Sequence, residues 1–173
     1  MNRDEALLVA VLVAVGVQRL VELVVSRRNE AALLRRGGVR ARPDGFALFF
    51  TVHAALFFLL PAEWFLLWWP RVGLHTWIFL GIAVAAALVR YWAAWSLGDR
   101  YTVRVIHVPG EPLVARGPYR WVRHPIYIAV LVEMAALPLI FGCWLTAGYL
   151  TTLNIVAVLR RVRLEEAHLG AAA

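Results

Sequence analysis

The chain has 173 residues, 62% of them hydrophobic, with a mean hydropathy of +0.69, more apolar sequence than a soluble domain of this length needs. Its 18 basic residues, all arginine, face 11 acidic ones for a net charge of +7; the arginines fall between apolar stretches, which sets nucleic-acid binding aside. Cys143 is alone, so an intramolecular disulfide and thiol–metal clusters are excluded.

An all-α integral membrane protein with about five transmembrane helices is therefore expected, as one domain over residues 1–173. The first apolar run is long for a signal-peptide core and lacks a small-residue cleavage site, so it reads as an anchor. It extends from about Glu5 to Val25, near the roughly 20 residues a bilayer needs. Gln18, Arg19 and Glu22 lie toward its far end, with Arg19 and Glu22 three apart on one face, where they can pair. Intramembrane charges are costly, so they face protein or water, or else snorkel to the interface. From Ser26 to Gly45 come Arg27, Arg28, Arg35, Arg36, Arg40 and Arg42. Ser26 is placed to cap a short amphipathic helix that Gly37-Gly38 would end. So many arginines make this loop cytoplasmic and put the N-terminus outside.

A second span covers about Phe46 to Trp69. His53 stands near its inner end, and Pro61 can kink it. Trp64, Trp68 and Trp69 suit an outer aromatic belt. Pro70 to His75 read as a short outer turn. The third span covers about Thr76 to Trp95, with Arg90, Trp92 and Trp95 toward the inner end. Arg19, Glu22, His53 and Arg90 all fall in the cytoplasmic third of their spans, which suggests a polar pocket in the inner leaflet. For His53 alone, a packing residue with a hydrogen bond is the other reading.

Leu97 to Arg123 is the largest non-membrane segment. Tyr101 to Val108 alternates and Pro109-Gly110 signals a turn, so a short extended arm or hairpin precedes the fourth helix. Two shorter apolar runs follow, about Ile126 to Phe141 and Trp144 to Leu159, separated by Gly142. They read as a tight helical hairpin, tilted or short of a full span, after which the tail, Arg160 to Leu169, returns to the cytoplasm. Fourteen arginines (six in the first loop, five in Leu97–Arg123, three in the tail) then share that side.

The stretch Arg116 to Tyr127 holds the densest chemistry. Tyr119, Arg120, Arg123, His124 and Tyr127 can bind, polarise or donate. Pro125 suits the first residue of a helix, which places His124 at a helix N-terminus, where spare N–H groups favour an anion. A basic clamp on lipid phosphates is one reading. The other is a ligand site shared with the tail, where Arg161 and Glu165 lie four apart on one helical face. Both signs of charge would then suit a zwitterion such as the amino-acid end of S-adenosylmethionine; a solvated tail face is the plain alternative for Glu165 and Glu166. There is no Gly-rich phosphate loop, no HExxH or Cys/His cluster that would argue for a metal, no G-x-S-x-G elbow, and no matched pair of halves as in a transporter.

The run Glu111-Pro-Leu-Val114, with Gly117-Pro-Tyr119, Arg123-His-Pro-Ile-Tyr127 and Arg161-Val-Arg-Leu-Glu-Glu166, resembles the isoprenylcysteine carboxyl methyltransferase family. Gln18-Arg19, Glu22-Leu23, Arg28-Asn29-Glu30 and His53 are similar to a bacterial branch that methylates alkylpyrones and related phenolic lipids on oxygen. The resemblance implies an S-adenosylmethionine-dependent membrane methyltransferase that releases S-adenosylhomocysteine and uses no metal. It implies cofactor contacts from Glu111, Pro112, Leu113, Val114, Tyr119, His124, Pro125, Ile126, Tyr127 and Glu165. Arg161 and Glu165 would be catalytic, with Arg161, Arg19, Glu22, His53 and Arg90 on the acceptor side. Residues 1–96 would then form a three-helix substrate-side part and 97–173 the cofactor-binding part. The partners implied are membrane lipids and a lipophilic or prenylated acceptor, in the bacterial inner membrane with the site facing the cytoplasm. Arg104 and Ile126 depart from the family's pattern, which often has Gln, and Asn or Ser, there. A phospholipid N-methyltransferase and a non-enzymatic scaffold for anionic lipid are the competing readings.

Overall fold

The computed structural model describes residues 2–41, 44–67 and 72–170, with side chains to Ala167. Arg42, Trp68, Trp69 and Pro70, singled out in the sequence, lie outside the described residues. Five helices follow one another: α1 (Arg3–Arg35), α2 (Phe46–Leu66), α3 (Leu74–Leu97), α4 (Pro125–Leu139) and α5 (Trp144–Gly170). Of these, α1, α2 and α3 are long and apolar enough to cross a membrane, while α4 is apolar but only 15 residues long. Large apolar side chains such as Phe58, Leu74 and Leu88 stand exposed along the helices.

The first helix begins with a reciprocal cap. The Glu5 amide donates to Asn2 Oδ1 at 2.8 Å, and the Asn2 amide donates to Glu5 Oε2 at 3.0 Å. It then runs unbroken through Ser26, where the sequence suggested a new start. Ser26 is buried, and its Oγ accepts the Val103 amide at 2.7 Å. That contact joins positions 77 apart, so no local signal announces it. At about 1.5 Å per residue α1 is roughly 50 Å long, well beyond a hydrocarbon core of about 30 Å. It does end where Gly37-Gly38 predicted: Gly37 has φ +83°, and the amides of Gly38 and Gly37 donate to Leu33 and Leu34 carbonyls at 2.9 and 3.2 Å.

The overhang of α1 organises the loops. Asn29 Nδ2 donates to the carbonyls of Gly98 and Tyr101 at 3.0 and 2.8 Å, clamping the 3-10 turn Gly98–Arg100. The extended arm is present, but its partner is the first loop rather than a hairpin of its own. Strands β1 (Val39–Arg40) and β2 (Ile106–His107) pair antiparallel, with Val39 opposite His107. Ion pairs lace the same region: Arg40 and Arg104 meet Glu30, Arg104 meets Asp44, and Arg36 meets Asp99 at 2.7 Å.

In lipid, apolar burial does little to hold helices together, so close packing and polar contacts decide. Here α3 and α4 make the densest contact, with Ala83, Ala86, Ala93, Ala129 and Ala136 all buried. Leu56, Leu60, Met134, Phe141 and Leu150 fill the centre. Trp64 packs partly buried against that interior, edge-on to Phe141 at 5.7 Å. The α2 side chain of Glu63 caps α5, accepting from the Leu145 and Thr146 amides at 3.1 and 2.6 Å, where an anion complements the helix dipole. The last apolar run and the tail are not separate pieces: α5 is a single helix of 27 residues. Nothing in Arg160–Leu169 interrupts helical propensity, so the change from apolar to charged residues marks a change of surroundings within one rod.

Candidate functional site

Two polar clusters form toward the loop end of the bundle. The first is built where α4 begins and α5 nears its end. Pro125 starts α4, as expected, with His124 as the preceding cap residue. On α5, Arg161 and Glu165 are one turn apart, Nε to Oε1 at 3.5 Å. Arg161 Nε donates to the Tyr127 hydroxyl at 2.7 Å, and that hydroxyl donates to Glu165 Oε1. His124 stacks on Tyr127 at 5.6 Å, with Nδ1 3.6 Å from Glu165 and Nε2 3.5 Å from Glu166. The Arg161 guanidinium also lies over the Phe49 ring at 5.5 Å. It is 3% exposed, and its Nη1 is buried without a hydrogen-bond partner among the described residues.

Tyr119 approaches this cluster from the 3-10 turn Gly117–Arg120. Burial first, and then the Glu165 carboxylate, push its phenol above the ordinary value. Gly117 lets the turn press on α3: its φ is +59°, and a Cβ there would meet Ser96 Oγ at 2.0 Å. Pro125 is buried and Ile126 partly so, in the first turn of α4. The segment Glu111 to Val114 is tied elsewhere. Arg100 holds Glu111 at 2.8 Å and the Pro112 carbonyl at 2.6 Å, and Arg36 also pairs with Glu111; Leu113 is exposed and Val114 partly so.

The second cluster joins α1, α3 and α4. Arg19 pairs with Glu22 at 3.1 Å, as their spacing predicted. Arg90 pairs with Glu22 as well. At the centre is Glu133, 2% exposed, with Oε2 3.1 Å from both Arg19 Nη2 and Arg90 Nε, and Oε1 accepting from Gln18 at 3.2 Å. The sequence reading missed Glu133. The signal was there: a carboxylate inside an apolar run is expensive and demands a partner. Three of the four residues grouped by depth thus meet, and His53 does not bond to them. Its Nδ1 lies 2.7 Å from the Phe49 carbonyl, and its ring leans on Phe49 at 4.3 Å. Phe49 thus touches both His53 and Arg161.

The arrangement offers a desolvated guanidinium oriented by a hydroxyl and a carboxylate, next to an imidazole between two acids. Such a set can bind an oxygen nucleophile and a cation side by side. A family model described as the isoprenylcysteine carboxyl methyltransferase (ICMT) family matches residues 78–171. The "Uncharacterized protein YpbQ" of Bacillus subtilis (strain 168) is 33% identical over 166 residues, which cover 92% of this chain and 93% of that protein. No solved structure matches. The match takes in α4, α5, the arm before them and most of α3, so this apolar, helical chain is a membrane protein that belongs to the isoprenylcysteine carboxyl methyltransferase family.

Proposed function

We propose that this protein is an S-adenosylmethionine-dependent methyltransferase that moves a methyl group to an oxygen of a lipophilic acceptor. The acceptor oxygen belongs to a carboxylate or to an acidic enol or phenol. The observation that carries this reading is the Arg161–Tyr127–Glu165–His124 cluster, within the stretch the family model matches. Its residues fit the group the family uses. Glu165 and Glu166 suit a cationic sulfonium with its ammonium, and the unpartnered Nη1 of Arg161 suits an oxygen acceptor. His124, Pro125, Ile126, Tyr127, Tyr119 and Glu165 would hold the cofactor, with Glu111 to Val114 along its edge. When bound, the cofactor supplies a methyl on positively charged sulfur.

The chain's own residues do the rest. Arg161 is held by Tyr127 and Glu165, so it presents Nη1 without reorganising. Phe49 and the apolar walls of α2 and α4 exclude water, which would otherwise solvate the nucleophile. Opposite charges cancel during transfer, so a dry site favours the reaction. The fourteen arginines that the sequence carries in its first loop, the arm and the tail support a cytoplasmic site in a bacterial inner membrane. Residues 97–173 would bind the cofactor and residues 1–96 the acceptor.

The test uses the full chain in liposomes. S-adenosylhomocysteine should bind with micromolar affinity by calorimetry. Arg161→Ala and His124→Ala should each lose about 100-fold or more of methyl transfer, the size expected for one oriented donor, while still inserting. Product masses with an alkylpyrone, a prenylcysteine and phosphatidylethanolamine identify the acceptor atom. Methylation of phosphatidylethanolamine alone would make it an N-methyltransferase. Wild-type rates in both variants would refute the site, and absence of cofactor binding would leave an anionic-lipid scaffold.

A further inference from the structure

We infer that Arg120-Trp121-Val122-Arg123 forms a docking surface for the anionic phospholipid headgroups of the leaflet at the loop end, and that headgroup binding there steadies the ligand cluster next to it. The docking surface stands apart from the methyltransferase reading above; only its effect on the cluster rests on that reading.

The stretch from Arg116 to Tyr127 divides into residues that turn in and residues that turn out. Tyr119 and His124 belong to the cluster around Glu165, whereas the four residues between them are all exposed. The backbone fixes that division. The amides of Trp121 and Val122 both donate to the Pro118 carbonyl at 3.1 Å, closing the turn. Arg116 Nε donates to the Ser96 carbonyl at 2.8 Å, and the Trp121 ring meets Trp92 at 5.8 Å, so the turn is held against the end of α3.

That contact also sets the depth. Tryptophans of a spanning helix gather at the membrane–water boundary. Near the end of α3, Trp92 and Trp95 are 44% and 84% exposed. Trp121 touches Trp92 and is itself 66% exposed, with Val122 beside it. Two apolar side chains of a connecting segment thus stand open at headgroup level, where a tryptophan ring is wet at one end and apolar at the other.

Charge selects the lipid. Arg120 and Arg123 flank the apolar pair. The Arg120 guanidinium lies over the Trp121 ring at 4.8 Å and meets no carboxylate among the described residues. Arg123 is 89% exposed and reaches Glu166 only at 4.0 Å, too far for a firm pair. With Arg116 on the same turn, three arginines face one carboxylate, so the surface stays positive. A guanidinium can take a phosphate through two parallel N–H groups. A zwitterionic headgroup brings a cation that these arginines repel; an anionic one such as phosphatidylglycerol does not.

The link to the cluster is covalent. Residues 120–123 are the chain between Tyr119 and His124, so headgroups that hold Arg120 and Arg123 restrict both neighbours. Ordering a site before its ligand arrives removes part of the cost of binding.

The experiment uses the full chain in nanodiscs, with S-adenosylhomocysteine as the ligand probe. Brominated phosphatidylglycerol should quench tryptophan fluorescence more readily than brominated phosphatidylcholine, and Trp121→Phe should shrink the difference. Each arginine near an anionic surface is worth about 5-fold in affinity, so Arg120→Gln with Arg123→Gln should lower the preference for the anionic lipid by about 25-fold at low salt. Arg120→Lys with Arg123→Lys keeps the charge and should keep most of the preference. Arg27→Gln with Arg28→Gln removes the same charge from exposed positions on α1 and should leave the preference unchanged. By calorimetry, S-adenosylhomocysteine should bind several-fold tighter with phosphatidylglycerol present than in phosphatidylcholine alone, and the Gln pair at 120 and 123 should erase that gain. Equal losses in the two Gln pairs would mean a general surface charge, and reversal of the quenching by inorganic phosphate at constant ionic strength would mean a site for free phosphate; either overturns the docking surface. Equal ligand affinity in both lipids would overturn its effect on the cluster. No ligand binding in any lipid would remove the methyltransferase reading and that effect with it, while preferential quenching would still support the docking surface.

Discussion

Replacing Glu133 with Gln tests whether the buried charges hold the helices together. Arg19, Arg90, Glu22 and Glu133 sum to zero charge, and the substitution leaves a net +1 in a site where Glu133 is 2% exposed. At the 3.1 Å separations found, each ion pair of Glu133 has a Coulomb attraction of roughly 5 kcal/mol at an effective dielectric of about 20. Desolvation offsets much of that, and the measured loss on removing one partner of a buried pair is about 3–5 kcal/mol. For a chain of this size, that corresponds to a fall of about 6–20 °C in the melting midpoint. The eight tryptophans make intrinsic fluorescence in detergent a suitable probe. A double substitution, Glu133→Gln with Arg19→Gln, restores neutrality and should recover part of the loss. A single-variant midpoint within about 2 °C of wild type would show that the arginines find water or lipid phosphate instead, and would refute the reasoning.

Two further outcomes follow from the loops. Gly117→Ala combines a left-handed φ with a Cβ 2.0 Å from Ser96 Oγ and 2.8 Å from Ser96 Cβ, so it should cost more than about 1 kcal/mol; adding Ser96→Gly should return only the steric part, and an unshifted melting midpoint would contradict the geometry. At Asp44, burial alone would raise the carboxyl, but the Phe46 amide and the Arg104 guanidinium outweigh it and hold the group below the ordinary aspartate range. A depressed folded value means the contribution is complete above the unfolded value of about 3.9 and is lost as pH falls through the lower folded one. Thermal melts in that acid window should therefore destabilise wild type more than Asp44→Asn, and parallel curves would exclude the effect.

The sequence made some of this legible and hid the rest for definite reasons. Local chemistry could be read directly: Pro125 opens α4, Gly37 closes α1, Arg19 meets Glu22, and Arg161 meets Glu165. Grouping polar residues by depth brought Arg19, Glu22 and Arg90 into one neighbourhood. Distant pairings stayed hidden. Ser26 looked like a cap because its real partner, the Val103 amide, is 77 positions away. The arm's strand looked like half a hairpin because β1 lies in the first loop. Glu133 passed unnoticed among apolar neighbours, although its charge was the clearest anomaly in that run. His53 was grouped with the ion cluster, and the i−4 carbonyl that takes its Nδ1 proton shows only in coordinates.

The continuity of α5 makes it a lever. Glu63 pins one end at Leu145 and Thr146, and Glu165 lies about 20 residues beyond them, about 30 Å away along the axis. A rocking of about 5° at that fulcrum displaces the far end by roughly 3 Å, most of the 3.6 Å between Glu165 and His124. Substitutions at the pinned end, remote from any chemistry, thus translate into misalignment where alignment matters most.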